Sequence, residues 1–146
     1  MGGTLDRDCE QPVGSLYHIA RDFAWRAVDH GYLCTNGPAF SPNGRILYHT
    51  DSMQRTIYQF DLDLDSGTLA NKRVFAQIHE DGGLLDGMTM DCDGRIWVAH
   101  FGGARVTAFN PTGTIDRILQ VPATNVTSCR FGGANGSTLF ISTSRI

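Results

Sequence analysis

No two cysteines in this 146-residue sequence are spaced as Cys-x-x-Cys; Cys9, Cys34, Cys92 and Cys129 stand far apart. A zinc knuckle or a disulfide framework therefore has nothing to build on, and the thiols are expected to be buried, free and reduced. Long apolar runs are missing as well, since none approaches the ~20 residues that a membrane-spanning helix needs. The opening MGGTLDRDCE carries neither the basic nor the apolar stretch of a secretion signal, and Asp6 stands where a myristoylation signal has Ser or Thr. Positive charge is scarce: 12 Lys and Arg against 15 Asp and Glu give a formal net charge of -3, with no basic stripe. A cytoplasmic protein with neither nucleic acid nor membrane as partner is the expectation. Gly-x-Ser-x-Gly, His-Glu-x-x-His and phosphate-loop patterns are all absent, which removes support for the common serine-nucleophile, zinc-peptidase and nucleotide-binding routes.

Glycine, by contrast, is abundant at 17 residues, and helical periodicity is sparse. With 41% hydrophobic and 10% aromatic residues, the chain is expected to be one all-β domain of short strands and tight turns. Two dipeptides organise it: Asn36-Gly37 and, fifty residues on, Asp86-Gly87. Laid over one another without a gap, NGPAFSPNGRILYHTD and DGMTMDCDGRIWVAHF share the first glycine (Gly37, Gly87) and the trio Gly44-Arg45-Ile46 or Gly94-Arg95-Ile96. Each copy is expected to lead from its dipeptide into a short strand ending at Phe40 or Met90. A turn follows (Pro42-Asn43-Gly44, Cys92-Asp93-Gly94), then a second strand over 46–50 or 96–99. Asn-Gly and Asp-Gly between apolar runs signal hairpins because these residues accept positive φ at low cost. A period of roughly 40–50 residues with several strands per unit is that of propeller blades.

The blades are expected at 1–35 (partial), 36–78 (full), 86–120 (full) and 127–146 (partial). In the first, strands over 15–19 and 23–28 flank a turn at Arg21-Asp22, with a break at His30-Gly31. In the second, further strands fall at 56–60 and 73–76, and in the third the four strands are 88–90, 96–99, 105–109 and 115–119. The last begins like the repeat, Phe131 matching Phe40, and continues through a strand over 139–142. DLDLDSGTL fails as a calcium loop, because Ser66 and Lys72 stand where Gly and Glu are required, and it reads as a polar turn. About two full four-stranded blades plus two partial ones leave sheet edges and two apolar faces uncovered, so self-association to cover them is expected.

In neighbouring blades equivalent positions point at the same axis, which would bring Asn36 and Asp86 together. An amide oxygen and a carboxylate suit a hard divalent cation, calcium, magnesium, manganese or zinc, with water in the remaining positions. Asn and Asp before Gly are also ordinary turn formers; their identical place in two repeats is what favours a ligand role. Of five dispersed histidines, His49 and His100 come at the ends of the second strands, offset by fifty-one rather than fifty. They need not point the same way.

These motifs resemble the SMP-30/gluconolactonase family, the regucalcin-like six-bladed propellers that hydrolyse sugar lactones. The matching pieces are GTLD at 3–6, GSLYHI at 14–19, NGPAFSPNGRILYHTDS at 36–52, DGMTMDCDGRIWVAHFGGARV at 86–106 and TSCRFGG at 127–133. The resemblance implies a partial six-bladed β-propeller that takes a small-molecule sugar lactone and opens it to the aldonic acid. It implies Asn36 as a metal ligand, Asp86 as a metal ligand and the general base or acid, and Asp8 as a substrate contact, with Asp6 and Glu10 nearby in a shortened loop. The family's third ligand, a first-blade glutamate, and its Arg and Asn sugar contacts precede GTLD. The sequence is therefore expected to be a fragment, roughly the second half of such a propeller, weak or inactive alone. The alternative is a non-catalytic calcium-binding, regulatory propeller.

Overall fold

The computed structural model describes residues 10–145. Among the described residues, twelve strands form four antiparallel sheets, with one short 3-10 turn at Glu80–Gly82. The first sheet has two strands, β1 (Gly14–Ile19) and β2 (Trp25–Tyr32). The second has four in chain order, β3 (Thr35–Phe40), β4 (Ile46–Asp51), β5 (Thr56–Leu62) and β6 (Leu69–Gln77). The third repeats this with β7 (Leu84–Met90), β8 (Ile96–Phe101), β9 (Arg105–Phe109) and β10 (Ile115–Gln120). The fourth has two, β11 (Asn125–Gly132) and β12 (Thr138–Ser144). Successive sheets stack face to face, and β3, β7 and β11 lie side by side as the inner wall of an arc. The chain is a partial β-propeller. Among the described residues, no helix is long and apolar enough to cross a membrane.

Strand β8 shows why these residues stack as blades. Its side chains alternate faces: Ile96 and Val98 enter a core with Ala39, Tyr48 and Ile57 of the second sheet and Met88 of their own. Trp97 and Ala99 face the other way, into a core with Val106, Val126 and Cys129. Both faces are dry, so the strand reads as a continuous apolar run rather than an alternating one. Each fully buried side chain of this size contributes about 1.5–3 kcal/mol.

Several expected elements differ. The break at His30-Gly31 is absent: β2 runs on to Tyr32, because Gly31, at φ +88, is the extra residue of a bulge opposite the Gly14/Ser15 step. Phe23, expected in a strand, sits at φ 65 in the turn where the Ala20 amide donates to the Ala24 carbonyl. Strand β6 starts at Leu69 rather than at 73, its polar edge residues hiding the periodicity. Among the described residues no disulfide joins Cys34, Cys92 or Cys129, yet Cys92 is exposed in the β7–β8 turn; of these three thiols only Cys129 is buried, and burial pushes it up to about 12.

Candidate functional site

Asn36 and Asp86 do not precede their strands, as the repeat suggested, but lie within β3 and β7, the inner strands of adjacent sheets. Each strand carries a bulge at this point. Asn36 still faces Thr50 across the β3–β4 ladder, and the extra residue follows, before Ala39 meets Tyr48. On β7 the last regular pair is Leu85 with His100 and the next is Met88 with Val98, so Asp86 is itself in the bulge. Bulges bend a strand and re-aim a side chain.

The shared glycines have a packing cause. A Cβ on Gly87 would lie 2.7 Å from Ser128 Cβ and 2.8 Å from the Thr127 carbonyl, so the following inner strand can approach only because no side chain is there. Gly37, at φ +87, faces Met88 Cε at 3.0 Å from its would-be Cβ. Each dipeptide thus couples a polar side chain to the close approach of the next blade.

The Asn36 side chain is oriented by a relay. The Ser52 hydroxyl donates to the Leu85 carbonyl at 2.5 Å, using its single proton. Its oxygen then accepts from Asn36 Nδ2 at 2.9 Å. This fixes the amide with nitrogen toward Ser52 and leaves Oδ1 as the acceptor on the other side. The relay ends on Leu85, the residue before Asp86, and so ties the two candidate ligands across the blade junction. The approach to Asn36 is braced from beneath by buried Asp51, whose carboxylate accepts from the Leu33 amide at 2.9 Å and the Cys34 amide at 3.2 Å. Sequence reasoning singled out neither Asp51 nor Ser52. The available signal was that the second copy has Phe101-Gly102 in their place.

Asp86 is half-buried, and burial raises its pKa above the usual carboxylate value, partly offset by the Gly87 amide. No cation pairs with it among the described residues. An oriented amide oxygen on β3 and a half-buried carboxylate without a cationic partner on the adjacent β7 are donor types that suit a hard divalent cation. Among the described residues, no group of three or more His, Cys, Asp or Glu side chains converges. Two side-chain oxygens plus water are what this chain offers. A cleft of about 410 Å³ runs along Pro38, Phe40, Met88, Met90 and Arg130 on the three inner strands, starting two residues beyond Asn36 and Asp86, neither of which lines it.

His49 and His100 lie within β4 and β8, and both are buried. Burial pushes each down to about 4, so both are neutral. His100 Nδ1 donates to the Gly82 carbonyl at 2.7 Å, while His49 packs edge-on against Tyr32 at 4.5 Å between ring centroids. Neither lines the cleft along Pro38, Met88 and Arg130. Asp8 and Asp6 fall outside the described residues. Glu10 is exposed at the start of the described chain.

Comparison with known proteins adds the following. The family model for the SMP-30/Gluconolactonase/LRE-like region matches residues 1–145. Regucalcin of Danio rerio is 36% identical over 148 residues, covering 99% of this chain and 50% of that protein. A solved calcium-binding protein, regucalcin, from Agrobacterium tumefaciens is 27% identical with a TM-score of 0.90, covering 97% of this chain and 48% of that one. A solved gluconolactonase from Xanthomonas campestris is 26% identical with a TM-score of 0.77, over 89% and 41% respectively. The chain spans about half the length of the curated relatives it matches.

Proposed function

Because the chain belongs to the SMP-30/gluconolactonase/LRE-like family, we propose that Asn36 and Asp86 form part of a metal-dependent sugar lactone hydrolase site. The observation that supports this reading is the relay from Asn36 Nδ2 through Ser52 to the Leu85 carbonyl, which links the Asn36 amide to the residue before Asp86 and leaves its Oδ1 as an acceptor. A divalent cation, when bound, supplies Lewis acidity toward the lactone carbonyl and lowers the pKa of water. Asn36 would hold that cation through Oδ1, and Asp86 through one carboxylate oxygen. The other oxygen of Asp86 can take a proton from the attacking water and return it to the ring oxygen as the ester bond opens. The cleft along Met88, Met90 and Arg130 gives a small polar substrate room against the inner strands.

Two side-chain ligands predict weak cation binding and little turnover by this chain alone. The test is a calcium or zinc titration of the purified chain with proton release from a five- or six-membered sugar lactone followed in parallel. Weak binding lost in Asp86→Ala and reduced in Asn36→Ala is the expected result. Binding unchanged in Asp86→Ala removes the site. Robust turnover abolished by Asp86→Ala would place catalysis there and show that two ligands suffice. The calcium-binding regucalcin among the solved relatives supports a second reading, a regulatory propeller. That reading predicts binding without hydrolysis in a longer chain that also carries an upstream glutamate ligand.

A further inference from the structure

Each candidate ligand lies soon after a crossing, where the chain leaves one sheet and enters the inner strand of the next. Before Asn36 the crossing is Leu33-Cys34, and the buried Asp51 carboxylate at the end of β4 accepts from both amides. Before Asp86 it is residues 78–83. The repeat puts Phe101 where Asp51 stands, and its phenyl ring offers no carboxylate. His100, one residue earlier in β8, makes the contact instead: its Nδ1 meets the Gly82 carbonyl at 2.7 Å, two residues before β7 begins at Leu84. A carbonyl can only accept, so Nδ1 carries the proton and Nε2 the lone pair. We infer that His100 is a positioning residue for Asp86, a role that rests on the cation site proposed above. By holding the crossing it fixes where β7 begins, and hence where the Asp86 carboxylate lies relative to Asn36.

Four observations separate His100 from an ordinary core histidine. The first is connection: among the described residues, no other side chain from outside 78–83 hydrogen-bonds to the crossing. Its main-chain ties there are the Ile78 amide to the Arg55 carbonyl at 3.1 Å and, within the crossing, the Gly82 amide to the His79 carbonyl at 3.0 Å. The second is close approach. A Cβ on Gly103 would lie 2.4 Å from the Gly82 oxygen and 2.8 Å from His100 Cβ, so the carbonyl fits against the β8–β9 turn only because position 103 has no side chain. The third is that His100 Nε2 is buried without a hydrogen-bond partner. That nitrogen does nothing a carbon would not do, which leaves the Gly82 bond as the polar reason for an imidazole here. The fourth is register: His100 pairs across the ladder with Leu85, the residue before Asp86, whose carbonyl also receives the Ser52 hydroxyl from the Asn36 side. One residue thus holds both the entry to β7 and the last regular pair before its bulge.

Amide hydrogen exchange of the cation-free chain and calorimetric titration with calcium test this together. His100→Leu removes the donor; exchange at 84–87 should quicken, and calcium affinity should fall about tenfold. His100→Asn places an amide nitrogen as many bonds from the backbone as Nδ1 and should restore most of both. Gly103→Ala disturbs the Gly82 carbonyl from the other side and should act like His100→Leu, so it decides the matter where His100→Leu does not fold. Phe109→Leu, in the same core and paired with Ile96 at the far end of the sheet, should lower the melting temperature while calcium affinity holds. Unchanged exchange at 84–87 in His100→Leu overturns the role, as does faster exchange with unchanged affinity. Equal loss of affinity in Phe109→Leu also overturns it, because the effect is then one of stability. Calcium binding lost in Asp86→Ala but kept in His100→Leu removes His100 alone. Binding unchanged in Asp86→Ala removes the cation site, and the positioning role with it.

Discussion

The two complete blades begin with the same wording and end up with different registers. In the first, the turn closes where the Ser41 amide donates to the Ile46 carbonyl; in the second, the Asp91 amide donates to Arg95, one residue sooner. The cause is the Asp91 carboxylate, which accepts from the Asp93 and Arg95 amides and the Trp97 indole and so tightens the turn. Ser41 gives its hydroxyl proton to Asn43 Oδ1 instead. Ala39 therefore faces Tyr48 while Thr89 faces Trp97, an offset of one pairing between equivalent positions. That offset leaves Asn36 paired and framed by Asp51 and Ser52, and puts Asp86 in the bulge with its carboxylate unframed. The repeat supplies the scaffold twice, and the difference in turn chemistry makes one copy a rigid neutral donor and the other a charged, adaptable one.

The largest way to strain that comparison is acid, because each blade buries one histidine on a different side. His49 and His100 are held near 4, below the unfolded value of about 6.5. The unfolded chain therefore binds more protons between those limits. Stability is full above about pH 6.5, falls as pH drops toward 4, and levels off below it, by roughly 3 kcal/mol per histidine. Urea unfolding across that range should show a slope shallower by about half in His100→Phe; an unchanged slope would mean that histidine does not titrate with folding.

Next is the pair of glycines. Gly87→Ala meets Ser128 and the Thr127 carbonyl and should cost about 3 kcal/mol. Gly37→Ala meets only the flexible end of Met88 and should cost about 1–2 kcal/mol, from its positive φ. Thermal melts that reverse this order would show that the β7–β11 approach is less tight than the β3–β7 one.

A charge exchange sharpens the comparison of ligands. Asn36→Asp puts a carboxylate oxygen against Ser52 Oγ, whose proton is committed to Leu85, and should destabilise by about 1–3 kcal/mol. Asp86→Asn should hold stability while weakening cation binding about tenfold, or 1.4 kcal/mol. Calorimetric titration showing equal affinity for both variants would erase the distinction between the two blades. Smallest is Ser52→Ala, which frees the Asn36 amide to turn and strands the Leu85 carbonyl for about 1 kcal/mol. Its cation affinity should fall more than its melting temperature suggests.

Much of this architecture was legible in the chain because the signals are local. Asn43-Gly44 and Asp93-Gly94 mark hairpins through their own φ preferences, and the run from Ile96 to Ala99 marks a strand dry on both faces. The strand through His30-Gly31 was not legible, because a glycine looks the same whether it ends a strand or makes a bulge within one. Ser52 was invisible for another reason: its partner is the Leu85 carbonyl, thirty-three residues away, and backbone acceptors leave no mark in a sequence.

The sequence by itself determined the class of the fold, the repeat, its turns and the candidate pair Asn36 and Asp86, since each follows from side-chain preference within a few residues. Tertiary structure alone decided that Asn36 and Asp86 lie on adjacent inner strands, the one paired at the edge of a bulge and the other inside one, and which way the Asn36 amide points. Those outcomes depend on which sheet stacks on which and how closely, and close stacking is a property of distant segments meeting, not of any one stretch.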